Sequence, residues 1–198
     1  METRERILAA AERVMREHGL ARATTKEIAR AAGVSEGTLY NHFANKEELF
    51  LCVLREQLPG FIAAVVALPR RAGTGTVRGN LIEVARSALA FYTESVPLGT
   101  SVHTEPARLA RLREETAKRN VGPQKANESV AAYLRAEQEL GRVPADVNPE
   151  AAADLLLGAC FQRAYLLPFL PPDAASAASG ERFIAAVVDT LLRGIGAR

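Results

Sequence analysis

The chain of 198 residues has no tryptophan, two cysteines, three histidines and no long apolar run. Cys52 and Cys160 lie far apart, without the paired spacing of a zinc site and too few for a disulfide framework. A reduced, cytoplasmic protein is therefore expected, with no resident metal. The longest apolar candidate, Ala151–Leu170, is interrupted by Asp154, Gln162, Arg163 and Pro168, so no membrane partner is expected. The first helical stretch carries Arg4, Glu5, Arg6, Glu12 and Arg13, which excludes the apolar centre of a secretory signal. A dominant charge sign is missing too. Lys and Arg number 25 against 23 acids, a formal charge of +2, so any binding to DNA must use a placed motif rather than a polycationic coat. Gly-x-Ser-x-Gly, His-Glu-x-x-His and Walker patterns are all absent, so neither an enzyme nor a cofactor is expected.

What the chain does have is helical periodicity with matching start and stop signals. Ile7, Leu8, Ala11, Val14 and Met15 form an apolar stripe preceded by Thr3 and ended by Gly19 in a left-handed conformation. Either Thr24 or Thr25 caps the next helix, Thr24 having Glu27 three residues on as a capping box. Gly33 stops that helix, Ser35 caps a short one from Glu36 to about His42, and Asn45 with Glu48 caps a fourth. Pro59-Gly60 interrupts this last helix, and Pro69 to Thr76 reads as a loop. Further helices are expected over Val77–Thr93, Glu105–Arg119, Gly122 to Gly141, Pro149 to about Phe169 and Glu181–Ile195. No segment alternates with period two, so the fold is all-α, with about nine helices. Residues 1–55 are expected to form one domain and residues 56–198 a second.

The segment Thr25–His42 has the proportions of a helix-turn-helix. Gly33 permits the turn, Ala29 permits close crossing, and Val34, Leu39 and Phe43 set the angle between the helices. The second helix then turns Glu36, Gly37, Thr38, Tyr40 and Asn41 outward. Gly37 allows close approach to a groove wall, Thr38 and Tyr40 suit a thymine methyl, Asn41 suits adenine, and Glu36 suits a cytosine amine or solvent. Thr25, Ser35, His42 and Lys46 are candidate phosphate donors at the edges. The region up to Arg55 carries nine basic and eight acidic residues, so two copies acting together on DNA are expected.

The run Ile28-Ala29-x-Ala31-Ala32-Gly33-Val34-Ser35-x-Gly37-Thr38-Leu39-Tyr40-x-His42-Phe43-x-x-Lys46-Glu47-Glu48-Leu49 resembles the tetracycline-repressor (TetR) family of bacterial transcriptional regulators. Glu36 and Asn41 stand where members of that family differ from one another. The resemblance implies a repressor that binds a palindromic double-stranded DNA operator as a homodimer, formed through the last two helices. It also implies a pocket among the middle helices, whose small-molecule inducer releases the DNA. An activator, or an architectural protein that needs no ligand, is the alternative that keeps the same head.

Such a pocket needs an apolar lining with a few polar groups. Phe61, Phe91, Tyr92, His103, Tyr133, Phe161, Gln162 and Tyr165 are the candidates, although burial alone makes each Phe a core residue first. His103 and Gln162 are the better markers, because a dry core without a partner penalises them. Arg163 is expected to pair with Asp154 or Glu150, Cys160 to be an inert buried thiol, and Cys52 to be core.

Overall fold

The computed structural model describes residues 2–57, 59–99, 102 and 105–194. Among these the fold is all-α, with ten α-helices. They are α1 (Thr3–Arg22), α2 (Thr25–Ala32), α3 (Glu36–His42), α4 (Lys46–Gln57) and α5 (Pro59–Ala67), then α6 (Val77–Gly99), α7 (Pro106–Lys118), α8 (Gln124–Glu139), α9 (Pro149–Leu166) and α10 (Ala177–Arg193). The helix beyond the expected nine is α5, which Pro59 opens as a first-turn proline.

The chain forms two compact units. The first joins Met1–Pro59 to Glu94–Gly122, and the second joins Gly60–Thr93 to Pro123–Arg198. The core of the first contains Ile7, Leu8, Met15, Ile28, Leu39, Phe43, Leu49, Val53 and Leu98. The core of the second contains Leu81, Val84, Ala88, Val130, Leu134, Leu156, Cys160 and Val188. Both cysteines are buried, as read from the sequence.

Four boundaries differ from the sequence reading, each for a local reason. Glu2, not Thr3, is the N-cap of α1, and its N–H donates to the Glu5 carboxylate at 3.0 Å. Gly19 has φ 73° but ψ 158°, so it breaks α1 without the left-handed cap, and helical turns resume to Arg22. That break delivers Leu20 to full burial. Helix α6 runs past Thr93 and through Pro97. A mid-helix proline costs about 3 kcal/mol, and fully burying Leu98 in the first core returns about 1.5–3 kcal/mol. Finally, α10 starts at Ala177 rather than Glu181, because the Ser176 hydroxyl accepts from the Ser179 N–H at 3.2 Å and caps it.

Candidate nucleic-acid interface

The turn that aims α3 is built from backbone chemistry. Thr24 is the cap of α2, with its hydroxyl accepting from Glu27 N–H and the Glu27 carboxylate accepting from Thr24 N–H, a complete capping box. Gly33 sits at φ 67°, ψ 38°, the left-handed position that closes the helix. Two arginines of α1 grip the carbonyl end of α2. Arg6 Nη2 donates to Ala32 O at 2.7 Å and to Gly33 O at 3.1 Å, and Arg13 Nη2 donates to Ala31 O at 3.4 Å. Sequence reasoning missed this clasp, although cations at the C-terminal end of a helix suit its dipole. Arg4 holds Glu56 of α4 through two hydrogen bonds, at 2.5 and 2.8 Å, and lies over the Phe43 ring. Those bonds pull the Glu56 carboxyl down to about 2.

On this platform α3 buries Leu39 and, at its end, Phe43, and exposes Glu36, Gly37, Asn41 and His42. Tyr40 is 48% exposed. Thr38 is half-buried, and its hydroxyl shares a hydrogen bond of 2.8 Å with the Ser35 hydroxyl, which also accepts from the Thr38 N–H and caps the helix. The Thr25 hydroxyl donates to Glu36 at 2.6 Å and lies 3.2 Å from the Tyr40 hydroxyl. Three of the expected readers, Thr25, Glu36 and Tyr40, are thus tied together at the Thr25 hydroxyl, and Ser35 and Thr38 form a second pair.

Lys46 differs from its expected role as an open phosphate donor. Its ammonium is half-buried and donates to the carbonyls of Ala23, at 2.6 Å, and Ala21, at 3.3 Å, at the end of α1. Burial first, then the nearby Arg108 charge, lower its pKa to about 8. Helix α7, which sequence reasoning left without a role, packs against the start of α4. Asn45 accepts from Glu48 N–H as the cap and donates to Glu115, and Arg119 pairs with Glu48 at 2.8 Å. The signal for that face was the pair Leu109 and Leu112, three residues apart in an otherwise polar helix, which pack against the first core.

The candidate ligand residues separate into groups. Phe61 is buried beside Phe91 and Tyr92, at centroid distances of 5.1 and 5.6 Å, and Tyr92 meets Phe161 edge-on at 5.5 Å. Burial pushes the Tyr92 hydroxyl up to about 12. Tyr133 is instead closed core, its hydroxyl accepting from Asn80 at 2.9 Å, so it lines no open space. Gln162 and Tyr165 face outward on α9 rather than into the unit, because the apolar circumference of that helix hid which side is covered. His103 lies outside the described residues. Arg163 forms no ion pair with Asp154 or Glu150. It donates to Ser179 at 3.0 Å and to the Ala174 carbonyl, and it lies over Phe183, while Glu150 pairs with Arg135 and Asp154 accepts from Asn127.

Comparison with known proteins matches residues 7–53 to the model for bacterial regulatory proteins of the tetR family. Residues 71–190 match the tetracyclin repressor-like C-terminal domain, more than half of the chain. The chain belongs to the TetR family. It is a helix-turn-helix transcriptional regulator and not an enzyme. The HTH-type transcriptional repressor Rv1474c of Mycobacterium tuberculosis is 32% identical over 94% of this chain and 89% of its own length. A tetR-family regulator from Mesorhizobium loti shares the fold at TM-score 0.72 and 23% identity, covering 96% of this chain and 95% of its own. FadR from Bacillus subtilis, solved with stearoyl-CoA, does so at TM-score 0.70 and 18% identity, covering 97% and 99%. No single helix among the described residues is long and apolar enough to cross a membrane.

Proposed function

We propose that this TetR-family regulator is a cytoplasmic repressor that binds a palindromic operator as a homodimer and leaves it when a small molecule binds. In this reading residues 1–55 read the DNA, and residues 56–198 hold the ligand and the dimer contacts. The observation that carries it is the exposed face of α3, where Gly37, Tyr40, Asn41 and His42 stand where a solvated helix would carry Lys and Glu. Repression is supported by the name of the full-length mycobacterial relative. The aromatic group of Phe61, Phe91, Tyr92 and Phe161 is the proposed ligand wall. An apolar guest is supported by its chemistry and by the stearoyl-CoA in the Bacillus neighbour of the same fold.

Selection of duplexes from a random library by the purified protein tests the reading. Enrichment of one inverted repeat is expected, and Tyr40→Ala should weaken that binding by roughly a hundredfold, the scale of two contacts of about 1.4 kcal/mol, one in each half-site, with the fold intact. A library that stays random after selection would falsify operator reading.

A further inference from the structure

A cleft of about 510 Å³ opens beside the reading helix, within the first compact unit. Thr25 of α2, Tyr40 of α3 and Lys46 of α4 line it, together with Arg108 and Arg111 of α7. Three cationic side chains thus face one space, against a single lining carboxylate, Glu47, which is only 5% exposed. That carboxylate is divided between two guanidiniums, with Oε1 lying 3.8 Å from Arg108 Nη1 and 3.5 Å from Arg111 Nε. Arg108 is anchored besides by Glu105 at 3.0 Å, and its side chain is only 14% exposed. The Arg111 side chain is 61% exposed. Lys46 uses two of its three N–H groups on the α1 carbonyls, leaving one for the cleft. Burial first, and then the Arg108 charge, hold the Lys46 pKa below its ordinary value.

We infer that α7 supplies part of the DNA contact: Arg111, positioned beside Arg108 and Lys46, seats a backbone phosphate of the operator in this cleft. The chemistry of the site is that of a phosphate dianion or diester, since guanidinium forks and hydroxyls converge on it. A duplex is favoured over a free phosphate because Thr25 and Tyr40 belong both to the cleft and to the reading surface. A phosphodiester within a strand lying along α3 therefore reaches the cleft without a second binding event. The inference rests on the proposed reading of DNA by α3, and it extends the contact surface beyond the helix-turn-helix.

The test uses the full chain and the selected duplex over a salt series. Each phosphate contact contributes about 0.9 to the slope of log affinity on log salt. Arg111→Gln should reduce that slope by about 1.8, one contact of about 0.9 in each half-site of the dimer's operator, weakening cognate and non-cognate duplexes alike at low salt. Arg111→Lys should keep the slope. Arg113→Gln, which removes an exposed α7 arginine outside the cleft lining, should leave it unchanged. A wild-type slope in Arg111→Gln overturns the inference while leaving the reading by α3 standing. Failure of the wild-type protein to bind any duplex overturns both. Calorimetric titration of inorganic phosphate into the DNA-free protein separates the two anion sources. Phosphate binding lost in Arg111→Gln, with an unaltered duplex slope, assigns the cleft to a free phosphate and overturns the DNA contact.

Discussion

The ammonium of Lys46 holds the end of α1 and lines the phosphate-facing cleft at once, and its titration connects the two roles. It faces Glu47 on its own helix, and Glu105, Arg108 and Arg111 at and beyond the start of α7. Its pKa in the free protein lies at about 8. A phosphate placed against it favours the charged form, so the DNA-bound pKa is higher than the free one. Above pH 8 binding must then take up a proton, and operator affinity falls as pH rises from 7 to 9. Lys46→Arg keeps a charge throughout that range and should bind with a flat profile, whatever its affinity at pH 7. Fluorescence anisotropy of a labelled operator across that range checks both. Parallel profiles for the two proteins would remove Lys46 from the contact.

Between α2 and α3 the critical element is the turn, and two glycines four positions apart make opposite demands on it. A Cβ at Gly33 would force an L residue into the left-handed region, at a cost of about 1–2 kcal/mol. It would also stand 3.1 Å from Arg6 Nη2, the atom that holds the end of α2. Gly33→Ala should therefore lower the melting temperature by several degrees, at about 2–4 °C per kcal/mol for a chain of this size. At Gly37 an added Cβ meets nothing closer than Ser35 Oγ at 3.8 Å, so Gly37→Ala should keep or raise stability. Its effect belongs to binding, where the methyl group holds the helix away from the groove. Calorimetry and anisotropy on both variants separate the two roles. These positions were legible in the sequence because caps and turns are decided within four residues, as the Thr24–Glu27 box and the Ser35 cap also were. The extension of α6 through Pro97 was not, since what offsets the missing hydrogen bond is the burial of the adjacent Leu98 against residues distant in sequence. Arg108 and Arg111 stayed hidden for a related reason. Helix α7 is charged on most sides, its apolar signal is the short pair Leu109 and Leu112, and the acidic start of α4 then draws Arg111 and Arg119 to it. The apolar circumference of α9 concealed the reverse, because pattern alone does not separate a face covered by its own chain from one left open.

That open face belongs to the molecule as a whole. Along α9 and the turn after it, Leu155 is 65% exposed, Phe161 47%, Tyr165 51% and Phe169 75%, with Gly158 exposed between them. Exposed apolar side chains scattered singly are ordinary, but a stripe running the length of one helix is a surface awaiting a partner. Its spacing of three and four residues suits a second helix laid alongside. For the proposed homodimer this stripe is the contact, and two reading heads then span half-sites about one helical turn of DNA apart. Leu155→Glu places a charge at the start of the stripe, where a facing copy would have to bury it. Sedimentation should then report a monomer, while Val66→Glu, at a position on α5 that is 64% exposed, should sediment as the parent does. Tethering raises affinity for a paired site by about 10²–10⁴ over a single one. Binding of Leu155→Glu to the full inverted repeat should therefore fall towards its half-site affinity, with the half-site affinity itself unchanged. If Leu155→Glu still sediments as a dimer, the stripe on α9 is not where two copies meet.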